Sequence, residues 1–126
     1  MTDDMLDSIL LSIKKLLNIH PEDTTFDADI ILGINTALSN LTQIGVGPSN
    51  GMSITNASTT WVDFLGNRPN LFQQAKSYVH IQTKLLFDPP SNSFIVTMYQ
   101  DMLKEYAWRL SIIKTNAELK KGLTDE

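Results

Sequence analysis

The sequence contains no cysteine. That excludes a disulfide framework, a thiolate metal site and a cysteine nucleophile together. Histidine is nearly as scarce. His20 and His80 are the only two, and neither has an acidic partner at ligand spacing, so the sequence offers no metal centre and no catalytic constellation, and a cofactor is not expected. No apolar run approaches the length of a membrane span. The start, Met1-Thr2-Asp3-Asp4, is acidic where a secretory signal begins basic. The expectation is a protein that folds inside a cell, with the sequons at Asn40-Leu41-Thr42 and Asn56-Ala57-Ser58 read as chance matches.

Positive charge is also short. Ten Lys and Arg stand against fourteen Asp and Glu, for a formal net charge of −4 and a pI near 5.0. Such a domain lacks the field that gathers phosphate backbone, which disfavours general nucleic-acid binding. The acidic residues Asp3, Asp4, Asp7, Glu22, Asp23, Asp27 and Asp29 cluster in the first thirty positions against Lys14 and Lys15. Two readings stand: helix-dipole matching with solvation, or a negative surface that repels DNA or meets a basic partner. A calcium loop needs oxygen ligands around a glycine turn, and that pattern is missing. The stretch Gly45-Val46-Gly47-Pro48-Ser49-Asn50-Gly51 has asparagine where a dinucleotide fingerprint needs its third glycine, and it follows a helix, so it reads as a turn.

What remains is the composition of one globular domain: 126 residues, 42% hydrophobic and 19% charged. Leu6, Ile9, Leu10, Ile13 and Leu17 make one apolar stripe on a helix over about Asp3–Asn18, stopped by His20-Pro21. Asp23-Thr24-Thr25 offers caps for a second helix over about Phe26–Ile44, with stripe Ile30, Ile31, Ile34, Leu38 and Leu41 and with Gly45 as its left-handed stop. A turn-rich loop follows over 46–60. Thr60 then caps a short turn carrying Trp61, Phe64 and Leu65.

Pro69 opens a third helix to about Phe87, burying Leu71, Ala75, Tyr78, Val79, Leu85 and Leu86, and Asp88-Pro89-Pro90 ends it. Ser91 or Ser93 caps a fourth helix to about Asn116, with stripe Ile95, Met98, Met102, Tyr106, Leu110 and Ile113. The fold class is therefore mainly α: a bundle of three to four helices with one long loop and a long C-terminal helix. Residues 1–116 form the domain and 117–126 a mobile tail. Trp108 falls well off the fourth stripe, beside Arg109, as either a snorkelling side chain or an interface anchor.

Several segments together carry a resemblance. They are Trp61-Val62-Asp63-Phe64-Leu65-Gly66, Tyr78-Val79 leading to Lys84-Leu85-Leu86-Phe87-Asp88-Pro89-Pro90, and Glu105-Tyr106-Ala107-Trp108-Arg109-Leu110. Ile13-Lys14-Lys15-Leu16-Leu17 and Phe26-Asp27-Ala28-Asp29-Ile30-Ile31 followed by Ile34-Asn35 add to it. In order and spacing, from about Leu6 to Leu110, the chain resembles the small head–tail connector (head-completion adaptor) proteins of tailed phages and prophages. The resemblance implies a structural virion protein without enzymatic activity, located at the head–tail junction and assembled in the host cytoplasm. Its members form a ring of about twelve copies under the portal protein. The ring extends the channel through which DNA passes without specific binding, and it docks a stopper or tail-completion protein. On that reading Trp108, Arg109, Lys120 and Lys121 are candidate subunit or portal contacts. Met52 and Ile54 are candidate loop contacts, and Trp61, Asp63, Phe64, Asp88, Pro89 and Pro90 form the structural motif.

Other readings make different demands. A small helical DNA-binding regulator needs a basic recognition helix, whereas the second helix carries Asp27 and Asp29 and no Lys or Arg. An enzyme or small-molecule carrier needs convergent polar groups around a pocket. Another phage assembly protein of similar build is the nearest alternative. Because consecutive prolines end a helix in any protein, Pro89 and Pro90 are structural first. Replacing both with alanine is expected to fuse or misalign helices three and four. An unchanged circular dichroism melt together with unchanged ring assembly would refute that hinge.

Overall fold

A computed structural model describes residues 2–124. Within them the chain is mainly α, a small helical bundle of six helical segments: α1 (Thr2–Met5), α2 (Ile9–Leu16), α3 (Asp27–Gln43), α4 (Trp61–Leu65), α5 (Pro69–Phe87) and α6 (Ser93–Thr124). Among the described residues the only β-type pairing is an isolated bridge between Ser8 and Thr60.

That bridge divides the first amphipathic stretch in two, where the periodicity predicts one helix. The Ser8 hydroxyl accepts a hydrogen bond from the Leu11 N–H at 3.1 Å, making Ser8 the N-cap of α2. On either side, the Ile9 N–H donates to the Thr59 carbonyl at 3.0 Å and the Trp61 N–H to the Asp7 carbonyl at 3.3 Å. The break turns Leu6 out to solvent, against the expected stripe, while Ile9, Leu10 and Ile13 stay buried.

Lys14 is the residue whose role the sequence pattern conceals. A lysine near a helix C-terminus reads as dipole matching, yet Lys14 is 1% exposed. Its ammonium donates to the carbonyls of Pro21 at 3.1 Å and Asp23 at 2.7 Å and stands 2.8 Å from Asp27 Oδ1. Asp27 Oδ1 has no partner apart from this ion contact. Two carbonyls take hydrogen bonds from the ammonium and a carboxylate balances its charge, which is the condition for burying a charge. One side chain thus ties α2, the 21–23 turn and the first turn of α3 together.

The start of α3 differs from the expected cap. Phe26 is the N-cap and makes no side-chain bond there, because Asp23 is engaged earlier: its carboxylate accepts from the Thr25 N–H at 3.1 Å. The other end follows expectation. Gly45 sits in the left-handed region at φ 88°, its N–H reaches the Thr42 carbonyl, and the Val46 N–H reaches the Leu41 carbonyl at 2.9 Å, with Val46 and Leu41 both buried. This is a Schellman stop with its apolar contact.

The central contact is α3 against α5. Ile30, Ile34, Ala37, Leu38 and Leu41 face Leu71, Ala75, Tyr78 and Val79 within one core. Gly33 lies where the two backbones run close together: a Cβ there would stand 3.0 Å from Thr83 Cγ2 and 3.2 Å from Thr83 Cα. The helix-propensity cost of a glycine of about 1 kcal/mol is accepted for a close backbone approach. Of the expected α5 core residues, Leu85 is half-buried and Leu86 is exposed; at this end of α5 it is Phe87 that meets the start of α3, edge-on to Phe26 at 5.5 Å.

The loop over 46–60 is tied down along its length. Asn35 clamps Ile54 on both sides, donating from Nδ2 to its carbonyl at 3.0 Å and accepting its N–H at 2.7 Å. Gly47, at φ 88°, lies so close under the Phe64 ring that a Cβ would overlap it. Thr60 and Asp63 form a reciprocal capping box at the start of α4. Trp61 is fully buried, packs edge-on against Phe72 and donates from Nε1 to the Ser12 hydroxyl at 3.1 Å.

After Asp88 and the proline pair, Asn92 caps α6 by accepting the Phe94 N–H at 2.8 Å. The cap is neither Ser91 nor Ser93, since Ser93 is already helical and the Asn92 carboxamide reaches the second helical N–H. The helix continues past Asn116 to Thr124, because losing an apolar stripe does not end a helix when the residues are good helix formers such as Ala117, Leu119, Lys120 and Lys121.

Lys14→Met is expected to lower the unfolding free energy by about 2–4 kcal/mol, since it strands two carbonyls and the Asp27 carboxylate. The exposed neighbour tested as Lys15→Met should stay within about 0.5 kcal/mol. Urea denaturation of both variants checks the pair.

Candidate functional site

The described surface carries several open apolar faces. At 1.5 Å per residue, the 32 residues of α6 span about 48 Å. A globule of this chain length has a diameter of only about 35 Å. The helix packs chiefly on α5, and Leu110 is its only fully buried hydrophobic residue among the described ones. Leu103, Tyr106, Ala107 and Ile113 lie half-buried on the same inner side.

A second apolar row runs down the other side. At 100° per residue, Phe94, Met98, Trp108, Ile112 and Leu119 fall within about 40° of one line, opposite Leu103 and Leu110. All five are exposed, Phe94 at 74%, Trp108 at 61% and Leu119 at 62%. Met98, expected on the buried stripe, belongs to this outer row because it sits about 120° around the helix from Leu110. The sequence reading singled out Trp108 alone. With apolar residues on two opposite faces no single hydrophobic direction stands out, and a search for one stripe finds the inner one. Spacing by four and three residues from Phe94 onward is the signal that marks the outer row.

Two other apolar surfaces are open. Phe26, Leu32 and Leu86 are exposed around a groove of about 650 Å³ between α3 and α5, with Asp29 as its charged member. A larger groove, about 990 Å³, lies along α1 and α2. Leu11 and Leu16 are exposed on its wall, and Asp4, Asp7, Lys15 and Lys76 supply its charges.

The residues singled out from sequence fall into separate places. Arg109 sits beside Trp108, half-exposed, with its Nε 2.9 Å from Glu105 Oε1. The side chains of Lys120 and Lys121 lie outside the described residues. Ile54 is a core residue, 1% exposed, and Met52 is half-buried against the core, so the loop presents neither freely to a neighbour. The reason is the Asn35 clamp, which seats Ile54 inward. Trp61 and Phe64 are packed inside, Asp63 caps α4, and Asp88 closes α5 with its carboxylate 2.9 Å from Lys84 Nζ. Pro89 and Pro90 occupy the turn between α5 and α6.

Of the acidic cluster, Asp27 is held by Lys14 and Asp23 by the turn at Thr25. The Thr25 hydrogen bonds hold the Asp23 carboxyl below its ordinary range. Among the described residues no group of three or more His, Asp or Glu side chains is placed to hold a metal ion. His20 accepts the Glu22 N–H at Nδ1. His80 is half-buried on α5, and its pKa is lowered, first by burial and then by the Lys84 charge.

A histidine held neutral in the fold takes up its proton more readily when unfolded. Stability is therefore expected to fall as the pH drops below about 6.5, and His80→Gln should flatten that part of the profile. Urea midpoints across the pH range check this, and a profile untouched by the substitution would refute it.

Residues 9–117 match the phage connector protein family. No curated protein and no solved structure matches the chain. No helix among the described residues is long and apolar enough to cross a membrane. The match runs from the first residue of α2 through the fold core into α6, over most of the length, and with the all-helical architecture and a surface of open apolar faces it places this chain in the phage connector protein family, structural head–tail proteins of the virion that assemble with other head and tail components.

Proposed function

We propose that this connector works as a closed ring of about twelve copies beneath the portal. There it extends the DNA channel and presents a docking surface to the stopper or tail-completion protein. The single observation that carries the reading is α6: a helix longer than its own domain, with exposed Phe94, Met98, Trp108, Ile112 and Leu119 on the side its own core does not use. A monomer gains nothing from such a face, and large exposed apolar patches mark interaction surfaces. Trp108 and Arg109 are the residue types enriched at such contacts. The net charge of −4 suits a channel component that lets DNA slide without sticking. On this reading the C-terminal segment with Lys120 and Lys121 meets the portal, and assembly takes place in the host cytoplasm.

Native mass spectrometry of the full chain, alone and with the portal protein of its phage, tests the proposal. A closed species of about a dozen copies, free or formed on the portal, is the expected result. A chain that stays monomeric at every concentration and does not bind the portal would overturn it. Deleting Ala117–Glu126 is expected to abolish portal binding while sparing the fold, and unchanged binding would sink the assignment of that segment.

A further inference from the structure

The outer face of α6 has more order than a row of exposed apolar side chains. Counting from Phe94 by four and three residues alternately gives Phe94, Met98, Asp101, Glu105, Trp108 and Ile112. This is a seven-residue pattern with two carboxylates in its middle. All six positions are exposed. Glu105 is already met by Arg109 one turn further on, at 2.9 Å; a helix that buries this seam must still bring a cation to Asp101, or leave that charge stranded in an interface.

That requirement selects the occupant. Pairing α6 with α6 sets the two carboxylates against their own copies or against Trp108 and Ile112, and the cations it brings, Lys104 and Arg109, stand at the flanks of the seam, with Arg109 already held by Glu105 of its own helix. The groove beside Phe26, Leu32 and Leu86 carries Asp29 and no lysine or arginine among its lining residues. The α1–α2 groove is the surface that fits. It offers exposed Leu11 and Leu16 for the apolar positions, and it holds Lys15 and Lys76, neither of which makes an ion pair among the described residues.

The order of charges also sets a direction. Along α2 the groove runs from Asp4 and Asp7 to Lys15, and along α6 the seam runs from Asp101 and Glu105 to Arg109. Opposite charges meet only when the two helices lie antiparallel, with Asp101 and Glu105 beside Lys15 and Arg109 beside Asp7.

We propose that the outer seam of α6 docks antiparallel into the α1–α2 groove of a second copy of this chain. The seam lies on the C-terminal helix and the groove on the N-terminal elements, so the contact is head to tail. After two copies pair, one keeps a free groove and the other a free seam, and the chain of contacts ends only by closing on itself. The inference rests on the ring reading above and names the surfaces that would build the ring.

The absence of cysteine makes the test clean. The full chain carrying Asp101→Cys and Lys15→Cys together is oxidised, with and without the portal protein, and run under denaturing conditions. A ladder of covalent dimers, trimers and higher species is expected. Each single-cysteine variant alone should give no cross-link, and the two mixed should give dimers and nothing larger. Covalent dimers from Asp101→Cys alone would mean that α6 faces α6 and would overturn the proposal. So would a missing ladder in a chain that native mass spectrometry shows to assemble, and in that case the ring stands while this contact falls. A wild-type chain that never assembles, with or without the portal, refutes the ring and this contact together.

As a second readout, Glu105→Lys and Lys15→Glu should each raise the concentration needed for assembly at least about tenfold, and the double variant should recover most of it. Failure of the double variant to recover assembly, with both singles impaired, refutes the charge pairing. Both positions are exposed, so circular dichroism melts of the variants should match the wild type.

Discussion

At Gly33 the backbones of α3 and α5 approach so closely that a Cβ there would press against Thr83 on the facing helix. Much of the structure hangs from that crossing. It makes α5 the common wall of the bundle, with α3 on one side and α6 on the other. It fixes where the buried isoleucines and leucines of α3 meet α5, and it allows the short elements α1, α2 and α4 to close over one end. Beside it, Leu32 and Leu86 are left exposed along the groove between the two helices. The same contact that builds the core thus leaves an open apolar surface at its edge.

The second organising group is the Lys14 ammonium. It stands where α2, the turn after it and the start of α3 converge, hydrogen-bonded to two carbonyls and paired with the Asp27 carboxylate. Buried charge stabilises less than buried hydrocarbon but tolerates fewer arrangements. Here it specifies how the N-terminal elements sit on the bundle. That placement forms one wall of the α1–α2 groove, and the neighbouring Lys15 faces outward into it. Two adjacent lysines have opposite fates, and the structural one positions the one available for contact.

A connector is a part whose function is the arrangement of its surfaces. The fold spends its polar groups on local architecture: a capping box at Thr60 and Asp63, an Asn35 clamp on Ile54, an ion pair at Lys84 and Asp88. What the fold leaves exposed is an outer face of α6 patterned as regularly as the inner one. A helix that is apolar on two sides has one face for its own core and, in the proposed ring, one for a neighbouring copy.

Much was legible in the sequence, and the reasons are local. Periodicity marked α3 and α5 nearly to their ends, Pro69 and Pro89-Pro90 marked where α5 starts and stops, and Thr60 as a cap marked α4. These signals depend on neighbours three or four residues apart, so they survive in one dimension. The motif segments carried the family resemblance for the same reason. The tertiary structure alone decided the rest. The break at Ser8 depends on Thr59 and Trp61, some fifty positions away. Lys14 is buried because the chain after it folds back over it, and Ile54 is core because Asn35 reaches it across the loop. Met98 lies outside because α5 covers only one side of α6. A stripe of apolar residues shows that a helix has a face to bury; which of two faces is buried depends on what another part of the chain brings against it, and that is a matter of three dimensions.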